Sequence, residues 1–226
     1  MAKAVILFSG GLDSTTCLAI AKSKGFECYA LSFQYGQKNR AEVLAAERAA
    51  RHFGVSGHQV LNIDLGKLGG SALTDDHIAI ADYTGHKTIP ATYVPARNTI
   101  FLSYALAYAE VLGANDIFTG VCSTDHAGYP DCRPEYIAAY QAMARLATKA
   151  GVNQELVTIH TPLILLTKAE TIRQGIALNV DYAQTVTCYR ATDEGEACGR
   201  CDSCVLRRKG FEDAGVTDVT RYVQFA

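Results

Sequence analysis

Ala4-Val5-Ile6-Leu7-Phe8-Ser9-Gly10-Gly11-Leu12-Asp13-Ser14 decides the fold of this 226-residue chain. Residues 4–8 are an apolar run of the length of one buried strand, and they end in a glycine turn. A helix is predicted over residues 14–24 and stops at Gly25, where glycine takes the left-handed cap conformation. The turn between them has its own chemistry. Gly10 and Gly11 let the backbone approach a ligand closely. The start of the helix presents free N–H groups, and its dipole favours anions. Ser9, Ser14, Thr15 and Thr16 add hydroxyl donors, so the turn suits a polyphosphate. It is not a Walker loop, because no Gly-Lys-Ser/Thr follows, and it lacks the third glycine of the dinucleotide fingerprint.

Outward from this unit, the alternation of strands and helices continues. Further strands are predicted over residues 27–33, 58–64, 116–119 and 156–160. Helices are predicted over residues 41–53, stopped at Gly54, and 99–112, stopped at Gly113. Pro134 opens another over residues 134–148, at a position proline favours. A Thr167–Glu170 capping box starts the helix over 167–178. Residues 65–98 are irregular, and a connection that long is usually functional. The pattern predicts an α/β fold: a five-stranded, mostly parallel sheet with helices on both faces. Residues 1–186 read as the nucleotide-binding and catalytic domain, and residues 187–226 as a small cysteine-bearing unit. No internal repeat or low-complexity segment interrupts the pattern.

Composition narrows the class. Hydrophobic residues make up 49% and charged residues 19%, as in ordinary globular chains. A net charge of −2 gives no basic footprint, so a nucleic-acid partner is not expected. No apolar run approaches the roughly 18 residues of a membrane span. The 4–8 run falls short of the about 7–15 residues of a signal-peptide core. A cytoplasmic protein is therefore expected, and eight cysteines there argue against a disulfide framework.

Four of the cysteines cluster: Cys188, Cys198, Cys201 and Cys204. Four thiolates close a tetrahedral shell around Zn2+, the usual structural arrangement. An iron–sulfur site is the competitor, because Cys-x2-Cys-x2-Cys also opens the bacterial ferredoxin run. That run continues with a fourth cysteine and proline, where Arg208 and Lys209 stand here. A closed zinc shell leaves no position for substrate, so its role would be to staple the C-terminal segment, with a short helix over 207–214, beside the active site. Cys17 reads as core, and His126 and His160 show no partner at metal-ligand spacing.

The string Phe8-Ser9-Gly10-Gly11-Leu12-Asp13-Ser14-Thr15 resembles the PP-loop of ATP pyrophosphatases, whose fold is that of the adenine nucleotide alpha hydrolases. That resemblance implies ATP binding by residues 8–18: Phe8, Ser9, Gly10, Gly11, Leu12, Asp13, Ser14, Thr15, Thr16, Cys17 and Leu18. It also implies attack on the α-phosphate with release of pyrophosphate, and Mg2+ bound with the ATP. Three further stretches are similar to one family within that group. They are Tyr93-Val94-Pro95-Ala96-Arg97-Asn98, the run from Gly120 through Asp125 to Arg133 and Pro134, and Thr187-Cys188-Tyr189. Together with the cysteine run they resemble the 7-cyano-7-deazaguanine synthases of the queuosine pathway, from the first strand to about Arg208.

This second resemblance implies that 7-carboxy-7-deazaguanine and ammonia become a nitrile through an adenylated carboxylate and then an adenylated amide. Asp13, Ser14, Lys168 and Arg97 would be the catalytic set. Tyr93, Arg97, Asp125, Tyr129, Asp131 and Arg133 would bind the substrate: Asp131 by accepting from the N–H edge of the base, the two arginines by gripping a carboxylate or phosphate, and a tyrosine by stacking. Lys168 is placed like the lysine that steadies the polyphosphate in the wider group. Relatives imply a homodimer. Plainer readings stay open, with Asn98 as a helix cap, Asp131 as a turn residue and Lys168 as a solvated one. The rival functions are a tRNA-modifying PP-loop ligase, a small-molecule amidating synthetase and a non-catalytic zinc scaffold.

Overall fold

The computed structural model describes residues 1–85, 88–122 and 128–224. Its five strands are β1 (Lys3–Leu7), β2 (Glu27–Gln34), β3 (Gly57–Asn62), β4 (Asp116–Phe118) and β5 (Thr158–His160). They form one sheet in the order β3-β2-β1-β4-β5. Every neighbouring pair is parallel, so the expected mostly parallel sheet is parallel throughout.

The alternation of β1 builds two cores at once. Val5 and Leu7 point to the face covered by α3 (Arg97–Leu112) and α4 (Pro134–Ala147), where they meet Leu102, Ala105, Ile137 and Tyr140. Ala4 and Ile6 point to the opposite face, under α1 (Leu12–Ser23) and α2 (Ala41–Phe53). Ile6 and Ile117 are fully buried, and truncating either to Ala costs on the order of 2–5 kcal/mol. The alanine row Ala45, Ala46, Ala49 and Ala50 brings α2 close. A short α5 (Lys149–Val152) follows α4. α6 (Lys168–Ala177) and α7 (Asp202–Ala214) pack outside α1, where Ile172 and Phe211 join Leu12, Ala19 and Tyr182.

Several boundaries differ from the sequence expectation for tertiary reasons. α3 starts at Arg97 rather than 99, and Asn98 lies inside it rather than capping it. Thr148 leaves the expected 134–148 helix and accepts from the Gly151 N–H at 3.1 Å, capping α5 instead. α7 starts at Asp202 rather than 207, so Cys204 rides on its first turn. The Thr167–Glu170 capping box forms as expected. His160 finds its partner across the sheet: its Nε2 lies 2.6 Å from Asp116 Oδ1, and its ring stacks on Phe118. His126 lies outside the described residues. Among the described residues no helix is long and apolar enough to cross a membrane.

Candidate active site

β2 follows β1 on one side of the sheet and β4 lies on the other, so β1 marks the topological switch point where ligands bind in open α/β sheets. A cleft opens there. Ser9, Gly11, Asp13 and Ser14 line it from the β1–α1 turn, and Thr119, Gly120 and Val121 line it after β4. α1 begins at Leu12 with Gly11 as its N-cap, and no side chain caps it. Its first-turn donors and its dipole are therefore presented to an anion.

The loop is braced from within and from behind. Ser14 Oγ donates to the Gly11 carbonyl at 3.2 Å, and lies 3.1 Å from Ser9 Oγ. Gly10 holds φ +81°, and a Cβ there would overlap the backbone of Ala45 and Ala46, so the turn is seated directly on α2. Lys168 Nζ donates to both oxygens of Asp13 at 2.7 Å and lies 3.4 Å from Cys122 Sγ. Gly210 of α7 fits against the Lys168 stem, where any side chain would collide.

The residues expected to bind ATP divide into two groups. Phe8, Ser9, Gly11, Leu12, Asp13 and Ser14 line the cleft, and Gly10 shapes its turn. Thr15, Thr16, Cys17 and Leu18 have buried side chains and do not line it. Past the first turn, α1 spends its side chains on packing. Thr16 Oγ1 donates to the Leu12 carbonyl at 2.9 Å and pairs with Tyr182 Oη at 2.7 Å. Cys17 sits in the core, where burial pushes its thiol up.

The expected acceptor residues also divide. Arg97 lines the cleft; it donates to Tyr35 Oη at 3.1 Å and its guanidinium lies 5.6 Å from that ring's centre. Burial opposes its charge, but Tyr35, Tyr189, Tyr129 and Glu42 outweigh burial and hold it protonated. Tyr129 lines the cleft as well, its hydroxyl 3.2 Å from Thr92 Oγ1 and 3.3 Å from Tyr189 Oη. Tyr93 stands behind Tyr129, and its hydroxyl accepts the Ala96 N–H at 3.0 Å. Asp131 is buried and does not line the cleft. Its Oδ2 accepts the Asn98 N–H at 2.9 Å in the first turn of α3, and among the described residues its buried Oδ1 has no hydrogen-bond partner. Arg133 is exposed and turns back to donate to the Pro130 carbonyl at 3.1 Å, away from the cleft. Asp125 lies outside the described residues.

Sequence reasoning missed Glu42 and the polar run after β2. Gln37, Lys38 and Asn39 line the cleft beside Glu42. The available signal was that run itself, at the carboxyl end of the strand next to the central one. Glu42 neighbours Arg97 and Ser9; burial, the larger effect, raises its carboxyl to about 7, and both neighbours pull it partly back.

The four clustered cysteines are all buried, and their sulfurs lie within 4.8 Å of one another. Cys188 and Cys201, and likewise Cys198 and Cys204, stand 3.9 Å apart, with Cys201 and Cys204 at 3.5 Å. Four thiolates about 2.3 Å from one tetrahedral ion sit roughly 3.8 Å apart, so the cluster fits a single metal ion. Backbone N–H groups of Arg190 and Cys198 donate to Cys188 Sγ, which would steady the charge of a thiolate there. The unit is not remote from the cleft. Thr187, Cys188, Tyr189 and Ser203 form part of its wall, and Asn39 Nδ2 donates to the Cys188 carbonyl at 2.8 Å.

A glycine turn at a switch point, walled by four clustered cysteines that could hold a metal ion, is a restrictive combination, and comparison with known proteins agrees with it. A 7-cyano-7-deazaguanine synthase of Coxiella burnetii (strain RSA 331 / Henzerling II) is 61% identical over 223 residues, covering 99% of both chains. One from Cellvibrio japonicus is 62% identical over 220 residues, covering 97% of both. Among solved structures, an NMN synthetase from Francisella tularensis shares the fold with a TM-score of 0.52 at 15% identity, over 96% of this chain and 78% of that one. The family described as queuosine biosynthesis protein QueC matches residues 3–215, and the chain belongs to that family.

Proposed function

We propose that this chain catalyses the ATP-dependent conversion of 7-carboxy-7-deazaguanine and ammonia to 7-cyano-7-deazaguanine, in queuosine biosynthesis. The observation that carries the reading is a single cleft bounded by the phosphate loop, with Asp13 and Ser14, and by Arg97. The loop and the start of α1 hold the pyrophosphate that leaves. Arg97 grips the substrate carboxylate, where a guanidinium fork matches both charge and shape, and Tyr129 and Tyr189 offer faces for its base.

A carboxylate cannot expel oxide. Attack on the α-phosphate turns that oxygen into a leaving group, ammonia displaces AMP to give the amide, and a second adenylation on the amide oxygen allows AMP to leave as the nitrile forms. Mg2+ bound with ATP supplies countercharge for the phosphates, and Asp13 is the carboxylate at the loop that would share it. Zn2+ is the ion proposed for the cysteines. An iron–sulfur cluster interposes its irons and sulfides and spreads the thiolates further apart. A four-thiolate zinc shell has no open position, so its part is structural.

Incubation with ATP, Mg2+, ammonium and 7-carboxy-7-deazaguanine is expected to yield the nitrile, AMP and pyrophosphate. ADP in place of AMP would overturn the adenylation, and turnover only with tRNA would favour a tRNA-modifying ligase.

A further inference from the structure

Glu42 lies on the first turn of α2 and lines the cleft between Ser9 of the phosphate loop and Arg97 of α3. Its place is fixed by packing. Neighbouring Ala41 and Ala45 are buried against Val186, and Gly10 seats the loop on Ala45 and Ala46. Among the described residues two carboxylates line the cleft, and the other, Asp13, is held by Lys168 at 2.7 Å. Nothing in the proposed adenylation uses Glu42.

The proposed reaction twice needs a proton acceptor beside the reacting carbon. Ammonia attacking the acyl adenylate forms a C–N bond, and the nitrogen must lose a proton before the C–O bond to AMP breaks. In the second round the amide nitrogen gives up one proton to the leaving pyrophosphate as the amide oxygen is adenylated. The remaining N–H bond of the resulting imidate then breaks, its electron pair completes the C≡N bond, and the C–O pair leaves with AMP. The acceptor must sit near the loop and the group that grips the carboxylate, and Glu42 lines the cleft near both Ser9 and Arg97.

We propose that Glu42 is the general base that takes the nitrogen-borne proton in both steps. The inference rests on the adenylating function proposed above. Among the described residues lining the cleft, four other ionisable groups serve poorly. Lys38 and Arg97 are cations, the Tyr35 phenol is raised by burial, and Asp13 is bound to Lys168. Glu42 is raised to about 7, chiefly by burial, with Arg97 and Ser9 pulling it partly back. A base near neutrality combines an available lone pair with adequate proton affinity.

The test uses the Glu42→Gln variant, which keeps the side chain's size but cannot take the proton. Two rates are compared: ATP–pyrophosphate exchange supported by the carboxylate substrate, and nitrile formation from the corresponding carboxamide with ATP, where no ammonium titrates. Wild-type protein that makes no nitrile would sink the functional reading itself. Given an active wild type, the variant is expected to lose nitrile formation by roughly 10²–10⁴-fold while exchange stays within about threefold. Equal loss of both rates, or unchanged nitrile formation, would overturn the proposal. The wild-type pH profile decides the matter even if the variant does not fold. An acid limb through neutral pH in nitrile formation but absent from exchange supports Glu42, and identical profiles overturn it.

Discussion

Lys168 Nζ stands 2.7 Å from both carboxylate oxygens of Asp13, joining the first residue of α6 to the second residue of α1. The pair is largely withdrawn from water, with side-chain exposures of 13% and 26%. Its lysine stem is confined by Gly210 of α7. The C-terminal helix thereby sets the position of a charge at the mouth of the phosphate loop.

Lys168→Ala is therefore expected to lower pyrophosphate release by on the order of 10²-fold, as loss of a fixed transition-state countercharge does. It leaves Asp13 without this partner and should cost about 1–3 kcal/mol, less than for a fully buried pair. Urea titration gives the stability, and a pyrophosphate assay gives the rate. Undiminished release in the variant would remove Lys168 from the machinery.

Gly10→Ala tests the seat of the loop. The residue combines φ +81° with a Cβ direction that runs into the backbone of α2. Strain and clash add, so a loss of about 3 kcal/mol or more is expected. Gly25→Ala is the control. It shares a positive φ but has open space around it, and is expected to lose only about 1 kcal/mol. Equal melting temperatures for the two variants would refute the contact.

What was legible in the sequence was encoded locally. The apolar run at residues 4–8 and the Gly10-Gly11 turn carry the strand, the loop and the helix dipole within a few residues, and the cysteine spacing carries the four-sulfur cluster. What was hidden depended on long-range pairing. Asp131 reads as a loop carboxylate until the fold brings it to Asn98, 33 positions away in sequence. Glu42 reads as one more charge on an alanine-rich helix, and only the β2-β1 neighbourhood places it beside Ser9. Arg133 was legible as a cation, but its side chain turns back on its own loop.

Asp131 should behave as a positioning residue. Its carboxylate caps the helix that begins with Arg97, so Asp131→Ala is expected to cost about 1–2 kcal/mol. Asp131→Asn keeps an acceptor oxygen and should recover most of that. If Asp131 instead contacts the base, the Asn variant would keep full stability yet bind the substrate far more weakly. Calorimetric melting beside a KM measurement separates the two roles.

Breaking the cysteine cluster should loosen the cleft as well as the tail. The cysteine unit contributes Thr187, Cys188, Tyr189 and Ser203 to the cleft wall. Cys201→Ser breaks a fully buried member of the cluster, so, with the proposed ion bound there, it is expected to lower bound metal to near zero, depress the melting temperature and weaken nucleotide binding together. Elemental analysis names the ion. A variant that loses the ion but keeps the wild-type melting temperature would refute the structural role.

Glu42 should also leave a mark on stability. Its carboxyl is raised from the ordinary 4.5 to about 7 in the fold. Between those values the folded chain retains a proton that the unfolded chain has lost, so stability falls as pH rises through that window and the loss is complete above it. Glu42→Gln cannot ionise and escapes the loss. The variant should match wild type near the lower end and be more stable at about pH 8 by roughly 1–2 kcal/mol, since water in the cleft screens part of the effect. Paired urea titrations of the ligand-free proteins at the two pH values measure the difference. A gap that does not widen with pH would mean that Glu42 ionises normally and that the cleft does not withdraw it from water.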